Sequence, residues 1–80
     1  MKIHVRINSP EKVLWEGEAD SVSSVNSLGP FDILPLHTNF ITFIEKKPIV
    51  VRTGTEKKEY TFDNSVIYAS KNIVLVYTHL

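Results

Sequence analysis

Apolar and polar residues alternate with period two along much of this chain. Ile3, Val5 and Ile7 fall on one side of an extended segment, and His4, Arg6 and Asn8 on the other. Lys58, Tyr60 and Phe62 oppose Glu59, Thr61 and Asp63 in the same way. Glu16, Glu18 and Asp20 project from one face of a strand, with Trp15 and Ala19 turned inward. Two segments depart from the rule. Ile73, Leu75 and Tyr77 alternate with Val74, Val76 and Thr78, so the last strand is apolar on both faces, and Ile49-Val50-Val51 behaves likewise. A strand of that kind is central in a sandwich or is covered by something else.

Turn residues punctuate the alternation at short intervals. Ser9-Pro10, Gly17, Asn26 to Pro30, Pro35, Lys47-Pro48, Thr53-Gly54, Asp63-Asn64 and Lys71-Asn72 all read as breaks. The intervening pieces are rich in Val, Ile, Thr, Tyr and Phe, which suit a pleated surface. The expectation is an all-β sandwich of at least seven short antiparallel strands, with no helix longer than two turns. Thr53-Gly54, Asp63-Asn64 and Lys71-Asn72 are expected hairpin turns, because Gly, Asn and Asp tolerate left-handed backbone. Leu36, Phe40, Phe43 and Ile44 also fit helical spacing, with Thr38 or Asn39 as cap. The β-branched and aromatic content from Phe40 onward favours at most one helical turn at Leu36–Asn39 followed by a strand.

The chain is 80 residues long, which makes residues 1–80 a single domain. Nine Lys and Arg balance nine Asp and Glu, which removes the clustered positive charge that a sequence-independent grip on nucleic acid requires. Cysteine is absent, so neither a disulfide nor a thiolate zinc site supports the fold. No apolar run reaches the roughly 18–20 residues of a membrane span, and Met1 to Arg6 lacks a signal-peptide core, so the expected compartment is cytoplasmic.

Candidate chemistry is sparse. His4, His37 and His79 show no ligand spacing typical of zinc. Ser21, Ser23, Ser24 and Ser27 cluster without a nucleophile elbow, and Gly17, Gly29 and Gly54 are too far apart to cradle a phosphate. The carboxylates Glu16, Glu18 and Asp20 read as a solvated face. Lys46-Lys47 and Lys57-Lys58 read as charged edges that discourage aggregation. No catalytic residue, metal or cofactor is implied. One feature stands out: the block Phe31-Asp32-Ile33-Leu34-Pro35-Leu36-His37-Thr38-Asn39-Phe40-Ile41 is more apolar than a solvated loop requires, so it enters the core or meets a partner.

That block, together with Ser9-Pro10-Glu11, Trp15-Glu16-Gly17 and Gly29 through His37 in order, resembles the N-terminal domain of the epsilon subunit of rotary ATP synthases across essentially the whole chain. The resemblance implies a β-sandwich and a non-catalytic subunit of the central stalk. Such a subunit binds the gamma subunit and the c-ring and helps couple proton flow to ATP synthesis. It would lie on the cytoplasmic side of the energy-transducing membrane, peripheral to it and not inserted. Three places depart from the family pattern. Leu36 stands where glycine is usual, Lys46-Lys47-Pro48 lacks the following glycine, and Asp63-Asn64-Ser65 replaces paired glycines. The C-terminal helical hairpin usual in the family has no counterpart before Leu80.

Carried over position by position, the resemblance implies that Gly29, Pro30 and Phe31 lie on a loop facing the c-ring, with Phe31 as a candidate anchor. It implies that Ser9, His37 and Thr42 lie on the face that meets gamma, and that Phe40 is partner contact or core. Two alternatives stay open: a free-standing sandwich adaptor for another protein, and a small single-strand nucleic-acid binder using Lys58, Tyr60 and Phe62.

Overall fold

The computed structural model describes every residue except Thr38 and Leu80. Nine strands follow one another: β1 (Ile3–Asn8), β2 (Val13–Ala19), β3 (Ser21–Asn26), β4 (Gly29–Ile33), β5 (Phe40–Glu45), β6 (Pro48–Thr53), β7 (Glu56–Thr61), β8 (Asn64–Ser70) and β9 (Ile73–Thr78). They form a two-sheet sandwich. The first sheet runs β2-β1-β9-β8-β5 and the second β4-β3-β6-β7. There is no helix among the described residues.

Each strand contributes alternate residues to the layer between the sheets, as pleating requires. Ile3, Val5 and Ile7 of β1 meet Val74 and Val76 of β9, Ile67 and Ala69 of β8, and Ile44 of β5 in one buried cluster. The second sheet adds Val22, Ile33, Ile49 and Val51. Trp15, Phe31, Phe40, Tyr60 and Phe62 pack around its rim. The aromatic-x-Gly pair of β2 has a steric basis. The Trp15 ring lies over Gly17, where an added Cβ would come within 2.8 Å of it.

Every pairing is antiparallel except β1 with β9, which is parallel over His4↔Ile73 to Asn8↔Tyr77. The expected sandwich of short, mainly antiparallel strands is thus present, with this one parallel pair added. Turn signals fix only strands joined by short connections, and β1 and β9 come from opposite ends of the chain.

The predicted hairpins divide in two. The hairpin expected at Thr53-Gly54 is present one residue later: Gly54, at φ 60, and Thr55 join β6 to β7 beyond the Thr53↔Glu56 pair. Lys71 and Asn72 join β8 to β9 with φ 51 and 63, the left-handed pair of a type I′ turn. Asp63-Asn64 is not a hairpin turn. It carries the chain from the second sheet to the first, because Phe62 turns into the core rim and the Lys46 amide donates to the Phe62 and Asp63 carbonyls. The turn expected at Leu36–Asn39 includes Thr38, outside the described residues. The turn that is described closes earlier, from the His37 amide to the Leu34 carbonyl.

Polar straps hold the corners. Between β2 and β3, the Asp20 carboxylate accepts from Lys2 Nζ and, at 2.7 Å, from the Gly54 amide, while Thr53 Oγ1 donates to the Glu18 carbonyl. The Lys2 bond, then the Gly54 amide, hold Asp20 below the usual carboxylate range. On the solvent side of β1 and β2, His4 lies between two carboxylates, Nε2 at 2.6 Å from Glu16 and Nδ1 at 3.0 Å from Glu18. These bonds raise the His4 pKa and, from the other side, lower that of Glu16.

Two outcomes follow from this packing. Ile67→Ala, at a fully buried site, is expected to cost about 2–5 kcal/mol in chemical denaturation, a large share of a total of about 5–15 kcal/mol. His4 is expected to titrate above 6.5 by NMR, and Glu16→Gln to bring it back toward that value. Because the folded-state value is the higher one, the His4 contribution is complete below pH 6.5 and disappears as pH rises through the raised pKa. The Glu16 contribution is present above pH 4.5 and disappears as pH falls through its lowered pKa.

Candidate partner-docking surface

The solvent side of the five-stranded sheet is the largest departure from a simple inside-out pattern. Cross-strand register places Ile41, Tyr68 and Leu75 in one row and Phe43, Val66 and Tyr77 in the next. Ile73 completes the apolar area beside Ser70. Ile41 is 67 % exposed and Phe43 52 %, and Tyr68, Ile73 and Tyr77 are also exposed. Toward β1 and β2 the first row continues into Arg6 and Glu16 and the second into Asn8 and Val13, while Ile73 leads into His4 and Glu18. The face is therefore apolar over β5, β8 and β9 and charged over β1 and β2, with the charges paired among themselves.

The residues singled out from the sequence fall around this face and not in its middle. Gly29, Pro30 and Phe31 are not in a loop: they open β4, an edge strand, with Gly29 at φ 122. The exposed tip lies just before them, at Ser27-Leu28, where the Asn26 side chain accepts from the Leu28 amide at 2.9 Å and Leu28 is 95 % exposed. Phe31 is half-buried, its ring 5.3 Å from that of Phe40. Phe40 in turn meets the His37 ring edge-on at 5.6 Å. Phe31, His37 and Phe40 thus form one aromatic ladder spanning the edge strands β4 and β5, where the two sheets part.

Thr42 turns to the interior side of β5, and its Oγ1 accepts from Asn26 Nδ2 at 2.9 Å. Ser9 lies at the end of β1, where its amide and Oγ both donate to the Lys12 carbonyl and its Oγ accepts from the Lys12 amide. Ser9 and His37 sit at opposite ends of the first sheet. The sheet register sets Asn8 beside Tyr77, while Phe40 pairs with Ala69 next to the β8–β9 turn.

Leu36 is a further feature of the apolar block. It is 75 % exposed and has φ 67, a backbone region that costs a residue with a Cβ roughly 1–2 kcal/mol. Its amide donates to Asn72 Oδ1 at 2.6 Å, which anchors the loop beside Ile73. The geometry explains why glycine suits this position, and it leaves the leucine side chain presented to solvent next to Leu34, 54 % exposed.

Ile41 closes the apolar block of the sequence, whereas Phe43, Tyr68 and Tyr77 are not among its partner-contact candidates, although the sequence carries a signal for them. A terminal strand apolar on both faces needs a cover, and the second sheet covers only one of them. The nucleic-acid alternative loses its stacking platform. Tyr60 and Phe62 are stacked at 6.4 Å, but they pack against the core, and burial pushes the Tyr60 hydroxyl pKa up.

The family described as "ATP synthase, Delta/Epsilon chain, beta-sandwich domain" matches residues 2–79. The ATP synthase epsilon chain of Leptospira borgpetersenii serovar Hardjo-bovis is 32 % identical over 77 residues, 96 % of this chain and 61 % of the relative. The chloroplastic ATP synthase epsilon chain of Tetradesmus obliquus is 28 % identical over 76 residues, 95 % of this chain and 56 % of the relative. The chain spans about three-fifths of the length of such relatives. Among solved structures, a chain of the Euglena gracilis mitochondrial ATP synthase superposes with a TM-score of 0.88 at 12 % identity, covering 96 % of this chain and 50 % of that one. A chain of the Tetrahymena thermophila mitochondrial ATP synthase central stalk and c-ring superposes with a TM-score of 0.82 at 11 % identity, covering 100 % and 65 %. At such identities the superpositions establish the fold. Together with the family match over nearly every residue, they lead to one assignment: the chain belongs to the ATP synthase delta/epsilon family, through its β-sandwich domain.

Proposed function

We propose that this chain is a non-catalytic, epsilon-like subunit of the central stalk of a rotary ATP synthase, that it binds the gamma subunit through the outer face of the five-stranded sheet, and that it reaches the c-ring through the Ser27-Leu28 tip. In this role it helps couple ion flow to ATP synthesis from the cytoplasmic side of the membrane, as a peripheral component. The observation that carries the reading is the exposed apolar area of Ile41, Phe43, Tyr68, Ile73 and Tyr77, bordered by charged residues on β1 and β2. An apolar centre with a polar border is the anatomy of a protein interface.

Several polar groups that could carry chemistry serve the fold instead. Ser23 donates to Asp32, Ser24 to the Pro48 carbonyl, and His4 is held by two glutamates. Among the described residues no group of His, Asp and Glu is arranged to hold a metal, and no helix is long and apolar enough to cross a membrane.

Tyr68→Asp is expected to weaken binding to purified gamma subunit by about tenfold or more, the cost of a central interface residue, measured by titration calorimetry. Its unfolding free energy in chemical denaturation should fall by no more than about 1 kcal/mol, the span of strand propensities, since the side chain lies on the solvent face of β8. Leu36→Gly separates strain from contact: relief of the left-handed leucine should keep stability at or above the parent, while any loss of gamma affinity reports a contact of the side chain. Leu28→Glu is expected to leave gamma binding intact and to impair association with a gamma–c-ring complex in pull-down.

A further inference from the structure

The four edge strands of the sandwich are not equally protected. β2 carries Glu16 and Glu18 and a register break opposite Ile7 and Asn8. β4 carries Pro30 and Asp32, and β7 carries Glu56, Lys57, Lys58 and Glu59. Charges, proline and bulges are the devices that stop an edge from pairing with another chain. β5 has the sequence Phe-Ile-Thr-Phe-Ile-Glu, with a single charge at its last position.

The register identifies which backbone groups β5 leaves open. The His79 amide donates to the Asn64 carbonyl, which makes Asn64, and hence Val66, Tyr68 and Ser70, the residues of β8 bonded toward β9. Ser65, Ile67 and Ala69 then bond toward β5, to their partners Ile44, Thr42 and Phe40. The Lys46 amide, donating toward Asp63, continues the same alternation. The N–H and C=O groups of Ile41, Phe43 and Glu45 therefore point away from β8, where no strand pairs with them among the described residues. An open groove of about 290 Å³ borders Thr42, Phe43 and Glu45 on that side and is completed by Val25, Asn26, Ser27 and Lys47.

We infer that the open edge of β5 receives a short extended segment of the stalk partner, which adds a sixth strand to the first sheet. The inference rests on the proposed docking of gamma on the outer face, because the Ile41 and Phe43 side chains are the outermost members of that face and make the edge continuous with it. The occupant is defined by its chemistry. It is about five residues long, matching Ile41 to Glu45. It is apolar at the positions flanking Ile41 and Phe43, and polar at the alternate positions that enter the groove between Asn26, Glu45 and Lys47. Main-chain bonds supply affinity and the alternating side chains supply selectivity, as in other strand additions.

The test is amide hydrogen exchange on the full 80-residue chain, free and with purified gamma subunit, beside a chemically synthesised chain with a backbone ester replacing the Phe43 amide. In the free protein Thr42 and Ile44 amides should be protected and Ile41 and Phe43 amides should exchange quickly. On addition of gamma, Ile41, Phe43 and Glu45 should become protected. The ester keeps the Phe43 side chain and removes the outward N–H, weakening in the ladder only the Thr42 carbonyl as acceptor toward Ile67. It should therefore lower affinity about three- to tenfold, the effect of one lost hydrogen bond, and a parallel unfolding measurement reads the ladder effect separately. If gamma binds and these three amides stay fast while the ester binds like the parent, strand addition is overturned and docking on the face stands. If gamma does not bind at all, both are overturned. If the three amides gain protection without gamma, in proportion to protein concentration, the occupant is a second copy and the inference fails in that form.

Discussion

A sandwich of this size has one buried layer, and a strand can give that layer only every second residue. That constraint governs the rest of the molecule. The interior is filled by β-branched side chains, Ile3, Val5, Ile7, Ile67, Val74 and Val76 among them, which are stiff and pack without long rotamer searches. Once those positions are filled, any further apolar residue in the same strands must face solvent. Ile41, Phe43, Tyr68, Ile73 and Tyr77 are that surplus, and they collect on a single sheet because β5, β8 and β9 are neighbours. The second sheet shows no equivalent: Val50 is half-buried, and its edge strand β7 is mostly charged.

Much of this was legible in the sequence. Period-two alternation located the strands, and the left-handed tolerance of Gly54 and Asn72 located two hairpins. Non-local pairing was not legible. Nothing near Ile3 or Ile73 indicates that they lie in adjacent parallel strands, and the crossing at Asp63-Asn64 has the same residue types as a hairpin turn. Its outcome is decided by Phe62, whose burial carries the chain into the other sheet. Sequence spacing cannot express a choice made by tertiary packing.

The candidate site was legible only in part. Gly29, Pro30, Phe31, His37, Phe40 and Thr42 came from resemblance, and the structure sets them along the seam between β4 and β5. Their side chains there bridge the two sheets through the Phe31–Phe40–His37 ladder and the Asn26–Thr42 bond. A seam of this kind can be required for partner binding without touching the partner, since it fixes the separation of the edges. The middle of the face is not legible in the sequence, because Phe43 reads as an ordinary strand residue and Ile41 only as the end of the apolar block until the register shows which way they point. Leu36 is the converse: its departure from glycine was visible, but only φ 67 shows that the leucine is held there against strain.

The charge arrangement on this face limits what kind of recognition it can support. The row Ile41, Tyr68, Leu75, Arg6, Glu16 runs from an open apolar end to an ion-paired end. Arg6 and His4 are already opposed by Glu16 and Glu18, so covering β1 and β2 does not strand an unpaired charge and does not demand a matching one from the partner. With nine basic and nine acidic side chains in the whole chain, little long-range field exists to steer association. Selectivity must then come from short-range fit: the shape of the apolar rows, and the register of the backbone groups along β5. Register is the stricter of the two. A shift of one residue along a strand exchanges the faces of every side chain on it, so a segment pairing with Ile41 and Phe43 would be read residue by residue although the surface carries almost no net charge.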